Sequence, residues 1–151
     1  MDLLSARGAA GSVVGFSSLG IQVCQGLLGY YGSFKDARTD IRPLYSSVER
    51  LGGSLKQLAK ALSSNTTTLD REMVVEAKEN IDVLESGLKD LEKRLDKIKL
   101  TPKSNSGAWE DFKATGRRAL YPLRESTVVK LKEIVDDSLS HLYLILNALQ
   151  L

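Results

Sequence analysis

The sequence contains one cysteine and one histidine, and each scarcity removes a class of function. With Cys24 alone no internal disulfide forms, and its place between Val23 and Gln25 marks it as a small buried hydrophobe in a reducing compartment. His141 stands among Ser140, Leu142 and Tyr143 with no second histidine or neighbouring cysteine, so a zinc site is excluded and a histidine at a core boundary is expected. Cys24 has no flanking charge to lower its pKa, and a Cys24–His141 pair has no third member to orient it. Neither a P-loop nor a strand-preceded dinucleotide-binding glycine pattern is present. The expectation is a protein that is not an enzyme and takes no cofactor, metal or small-molecule substrate. Charge of one sign is also lacking: a formal net charge of +2 is too balanced to argue for nucleic acid as the main partner.

Only three prolines and 6% aromatics, against abundant Leu, Lys, Glu and Ser, lean toward helices over strands. Periodicity makes this specific. Ile41, Leu44, Val48, Leu51, Leu55, Leu58 and Leu62 alternate steps of three and four, as one face of a helix requires. Residues 63–68 form a polar break, and Thr67 followed by Asp70 resembles a helix-capping arrangement. Leu69, Met73, Ala77, Ile81, Leu84, Leu88, Leu91, Leu95 and Ile98 continue as a second stripe toward Leu100. Residues 101–107 have loop composition, and a short helix is expected over 108–120 around Trp109 and Phe112. Tyr121-Pro122 breaks the chain, and Val128, Leu131, Val135, Leu139, Leu142, Leu146 and Leu149 predict a last long helix. The fold class expected is all-α: one domain over residues 1–151, a bundle of four to six helices, long and amphipathic, with an apolar N-terminal helical region. That domain suits the N-terminal part of a longer protein.

The beginning of the chain is unusual, because no charged residue occurs between Arg7 and Lys35. The stretch 8–34 is long enough to cross a hydrocarbon core of about 30 Å as one helix. Glycines at 8, 11, 15, 20, 26, 29 and 32, each costing about 1 kcal/mol against alanine in an exposed helix, and polar Ser12, Ser17, Ser18, Gln22 and Gln25 interrupt it. Two readings follow. In one, Gly11, Gly15 and their neighbours let the first helices pack closely inside the bundle, and burial explains the missing charge. In the other, Gly8/Ser12 and Gly11/Gly15 form small-residue faces for helix association in lipid. Phe16, Leu19, Ile21, Val23, Leu27 and Leu28 then face acyl chains, with Tyr30 and Tyr31 at the interface. The two are compatible if the segment changes state. Asp2 and a single Arg7 argue against a cleaved signal peptide, and no lipidation motif is present. Lys113, Arg117, Arg118 and Arg124 form the one local basic cluster, a candidate contact for anionic lipid or a solvated loop. Glu85 with Lys89 and Asp90 with Arg94 are i to i+4 pairs of an exposed face.

Three stretches carry a resemblance. They are the small-residue and apolar opening that ends in Tyr30-Tyr31, the following run with Lys35-Asp36-Ala37 and Val48-Glu49-Arg50-Leu51, and the Tyr121-Pro122-Leu123-Arg124 turn before the closing helix. In that order they resemble the HeLo-like N-terminal domains of fungal STAND-type immune receptors and cell-death effectors. Those domains are related to the HET-S HeLo domain and the mixed-lineage kinase-like four-helix domain. The resemblance implies a helical bundle that oligomerises on a signal, releases its N-terminal region and permeabilises the plasma membrane in programmed cell death and heterokaryon incompatibility. It implies a cytoplasmic resting state and membrane lipids as partners on activation. Self-association and an upstream receptor or amyloid-type signalling partner are implied as well. By position it places Gly8, Gly11, Gly15, Phe16, Leu19, Leu27 and Leu28 in the membrane-acting segment. A non-toxic interaction module at the N-terminus of a signalling receptor is the other expectation.

Overall fold

Apolar side chains recurring every three to four residues can be hidden from water only by helices packed side by side, and the computed structural model resolves them so. It describes residues 3–63, 71–99 and 121–151, with side chains described from residue 13 onward in the first segment and from residue 72 in the second. Four α-helices are present among the described residues: α1 (Leu3–Tyr31), α2 (Ile41–Ser63), α3 (Arg71–Lys99) and α4 (Glu125–Ala148). A 3₁₀ turn, Tyr121–Leu123, precedes α4, and no strand occurs among these residues. The count falls at the low end of the expected four to six. The expected helix over 108–120, the Thr67–Asp70 cap and the basic residues Lys113, Arg117 and Arg118 lie outside the described residues.

The helices form two pairs. α1 packs on α2 and on α3, and α4 packs on α2 and on α3, so α1 and α4 stand diagonally opposed. Gly20 lies against Leu55 and Leu88, Gly26 against Leu95, and Gly52 against Cys24, which sets α1 antiparallel to α2 and parallel to α3. Gly87 against Ser138 and Asn80 beside His141 set α4 antiparallel to α3. The last turn of α1, the first of α2, the last of α3 and the start of α4 therefore meet at one end of the bundle.

The stripes read from sequence supply most of the core, with Leu62 and Met73 half-buried against it and Leu69 outside the described residues. Ile41, Leu44, Val48, Leu51, Leu55 and Leu58 of α2 are buried, as are Ala77, Ile81, Leu84, Leu88, Leu91, Leu95 and Ile98 of α3. On α4 the buried set is Val128, Leu131, Val135, Leu139, Leu142, Ile145 and Leu146, followed by Leu149 beyond the helix. Each of these larger side chains contributes about 1.5–3 kcal/mol on leaving water. The outer faces of α2 and α3 are charged, with Arg42, Glu49, Arg50, Lys56 and Lys60 on one and Glu76, Lys78, Glu79, Asp82, Lys89 and Lys93 on the other. The expected Glu85–Lys89 and Asp90–Arg94 pairs form at 3.0 and 3.1 Å. The amphipathic division is less sharp in α4, where Val129, Tyr143 and Leu144 are exposed.

Candidate functional site

The uncharged stretch 8–34 lies mostly in α1, one continuous helix through Tyr31, after which residues 32–37 turn. At 29 residues it is about 44 Å long. Within it, Val13–Tyr31 is long and apolar enough to cross a membrane by length and composition, a test that the core helix of a soluble bundle also passes. The way α1 is buried separates its residues into three groups.

Val13, Phe16, Val23, Cys24, Leu27 and Tyr31 point into the core, and the shorter Ser17 and Gly20 occupy the same face. Small residues here bring the helices close. A Cβ on Gly20 would stand 2.7 Å from Leu55 Cδ1 and 2.9 Å from Leu88 Cδ1, and one on Gly26 would stand 2.6 Å from Leu95 Cδ2. On the facing helix a Cβ on Gly52 would lie 3.3 Å from Cys24 Cβ, so that glycine permits close approach. Burial pushes the Cys24 thiol up to about 12, with Lys56 opposing weakly, which keeps it protonated and inert at neutral pH. Ser17 Oγ is fully buried without a hydrogen-bond partner.

Leu19, Ile21, Leu28 and Tyr30 form a second, half-buried group flanking the core. The third group faces solvent: Gly15, Ser18, Gln22, Gln25 and Gly29, spaced 3, 4, 3 and 4. Among the described side chains no charge stands on this outer face, unlike the outer faces of the other helices. A Cβ on Gly15 or Gly29 would meet nothing within 4 Å, so Gly15 is not the close-packing residue that the buried reading assigned to it. That task falls to Gly20 and Gly26, farther along the same glycine series. Gly8 and Gly11 also fall within α1, on the segment whose side-chain surroundings are not described.

The C-terminal end of α1 is tied across the bundle. The buried Tyr31 hydroxyl donates to the Pro122 carbonyl at 2.7 Å. Seven residues on, Arg38 is 5% exposed and donates through Nη1 to the next carbonyl, that of Leu123. Its Nε reaches Asp40 Oδ1 at 2.9 Å and its Nη2 reaches Asp40 Oδ2, a two-pronged pairing that satisfies the buried guanidinium. Tyr30 stacks edge-on to Tyr31 and against Phe34, with ring centroids 5.1 and 5.6 Å apart. Lys35 lies over Tyr45 and Lys97 over Tyr121, at 4.5 and 4.0 Å. Burial, and the neighbouring phenols Tyr30 and Tyr121, raise the Tyr31 pKa well above its ordinary value. Tyr30-Tyr31, Lys35 and Tyr121-Pro122-Leu123-Arg124, drawn from separate quoted stretches, thus converge on this one end. Arg38 was missed by sequence reasoning; its signal is an arginine two residues from an aspartate, between apolar Phe34 and Ile41. Arg124, the one described member of the basic cluster, is exposed and caps α4 in an extended conformation. His141 is half-buried, with Nδ1 3.0 Å from Asn80 Oδ1, a boundary position as expected.

The described residues thus define an all-helical, four-helix bundle whose first helix carries no charge beyond Arg7. Over most of its length the chain is similar to a fungal protein, the azaphilone pigments biosynthesis cluster protein L of Monascus ruber, at 30% identity over 145 residues. That match covers 93% of this chain and 29% of the relative, so the chain spans less than a third of it. No family model matches the sequence. No solved structure matches it either.

Proposed function

We propose that this bundle is an inducible membrane-acting domain in which α1 leaves the core and enters a lipid bilayer. The observation that supports this reading is the outer face of α1. A helix kept permanently on the surface of a soluble bundle gains by carrying charge outward, as α2 and α3 do. α1 instead exposes Gly15, Ser18, Gln22, Gln25 and Gly29, so the whole stretch Val13–Tyr31 meets bilayer without desolvating a single charge. Phe16, Val23 and Leu27, now in the core, together with half-buried Leu19, Ile21 and Leu28, would then face acyl chains. Tyr30 and Tyr31 would sit near the interface. In keeping with the HeLo-like resemblance, the domain is cytoplasmic at rest and acts at the plasma membrane after self-association. There it permeabilises the bilayer in fungal programmed cell death under the control of an upstream receptor or amyloid-type partner.

A second reading is a non-toxic oligomerisation module, favoured by the correspondence of this chain to under a third of its relative and by exposed Tyr143 and Leu144 on α4. The experiment that separates them forces the full chain to oligomerise on a fused inducible dimeriser beside dye-loaded anionic vesicles. Leakage and membrane fractionation are expected. Self-association with intact vesicles would select the interaction module.

A further inference from the structure

The bonds at the end of α1 reach the turn before α4, the helix on which α1 has little packing of its own. α1 and α4 are diagonal in the bundle, yet Tyr31 and Arg38 donate to successive carbonyls of the 3₁₀ turn that starts α4. We infer that the Tyr31–Pro122 and Arg38–Leu123 hydrogen bonds form a latch that holds α1 in the bundle and sets the threshold for its release. The consequence for membranes rests on the reading of α1 given above; the latch itself does not.

Residues 8–34 carry no ionic group, so α1 beyond Arg7 is held by apolar packing and polar bonds and not by salt bridges. Inside the bundle, Ser17 Oγ is buried without a partner, and Gly20 and Gly26 present no side chain to bury. Among the described residues, the side-chain hydrogen bond that ties α1 itself across the bundle is the one at Tyr31. The latch is also addressable. An open cleft of about 800 Å³, lined by Arg38, Thr39, Asp40, Leu123, Arg124, Glu125 and Ser126, reaches the Arg38–Leu123 pair from solvent. A half-exposed Asp40 holds the guanidinium in place, so a stronger anion competing for Arg38 would loosen the same contact.

The test uses the full chain with Tyr31→Phe, which keeps the buried ring and removes only the donor, and Arg38→Met, which keeps the buried length. Tyr143→Phe, on the exposed face of α4, controls for loss of a hydroxyl. Amide hydrogen exchange of α1 is compared with that of α3. Losing one buried hydrogen bond should speed α1 exchange about five- to tenfold in Tyr31→Phe, with α3 changed less than twofold. Arg38→Met should act in the same direction, and both should leak vesicles at lower protein concentration than the parent. Equal acceleration of α1 and α3, or none in α1, overturns the latch. If parent and variants leave vesicles intact while α1 exchange rises selectively, the latch stands and the membrane reading falls. Should Arg38→Met fail to fold, Tyr31→Phe decides the matter alone.

Discussion

Gln22 is the midpoint of Val13–Tyr31 and faces solvent in the bundle, so a charge placed there separates the two environments proposed for α1. In water the change is small. Lysine and glutamine have nearly equal helix propensity, and substitutions at exposed sites away from special contacts stay within about 0.5 kcal/mol. For a domain of this size that shifts Tm by about 1–2 °C. At the centre of a bilayer the same side chain costs about 2.5–3.5 kcal/mol, whether Lys or Asp. The insertion equilibrium should fall roughly 60- to 300-fold at 1.4 kcal/mol per decade. Gln22→Lys and Gln22→Asp should therefore melt with the parent and lose vesicle leakage together. Testing both signs separates insertion from surface attraction, because lysine favours an anionic headgroup and aspartate opposes it. Leakage by both variants at the parent's concentration dependence would refute the entry of α1 into lipid.

The close packing of α1 predicts opposite outcomes at two glycines. Gly15→Ala, which meets open space in mid-helix, should raise stability by about 0.5–1 kcal/mol in urea titration, whereas Gly20→Leu, driven into fully buried Leu55 and Leu88, should lower it by about 2 kcal/mol. Ser17→Ala removes a buried hydroxyl without a partner and should raise the urea midpoint, by about 1 kcal/mol in free energy. Alkaline pH should destabilise the fold through Cys24. The folded thiol keeps its proton up to about pH 12 while the unfolded one loses it near 9. Its contribution is thus intact below pH 9 and declines by about 1.4 kcal/mol per unit above it. Cys24→Ala should flatten the stability–pH curve between pH 9 and 10, before the tyrosines titrate, and an unchanged slope would count against burial as the cause.

Helices α2, α3 and α4 were legible because their buried and exposed residues differ in kind. Ile41 through Leu58 on α2 and Ala77 through Ile98 on α3 alternate with charges, and a period near 3.6 is unmistakable when the two faces differ so much. α1 lacks that contrast, since its core face contains Ser17, Gly20 and Cys24 and its solvent face is glycine, serine and glutamine. Absence of charge therefore located the helix but not its orientation. The outer stripe of uncharged residues was nonetheless present in the spacing 15, 18, 22, 25, 29, and weighting polarity separately from charge would have found it. The end of the bundle was legible only in fragments. Pairing Tyr31 with Pro122 or Arg38 with Leu123 depends on backbone carbonyls 91 and 85 residues away, and side-chain patterns carry no record of a carbonyl partner. Pairing of the helices was equally hidden, because an apolar stripe states that a face is buried without stating against what.

The energetics of α1 bear on how one segment would serve in the two settings proposed for it. Six glycines lie within Leu3–Tyr31, and at about 1 kcal/mol each against alanine they remove about 6 kcal/mol of intrinsic helix stability. That is comparable with the whole folding free energy of a typical domain, so α1 is a helix only where its surroundings make it one. The bundle does so by burying Phe16, Val23, Leu27 and Tyr31 and by drawing the backbone close at Gly20 and Gly26. A bilayer does so for a different reason, because unpaired backbone groups are so costly in hydrocarbon that a segment there must close its own hydrogen bonds. Water provides neither, and an α1 released into it would unwind. Release and insertion must then be coupled, with the membrane or a neighbouring copy already at hand when the helix leaves the core. On the proposed reading, the glycine content requires one of the two at hand, and self-association before insertion is the route that the resemblance implies.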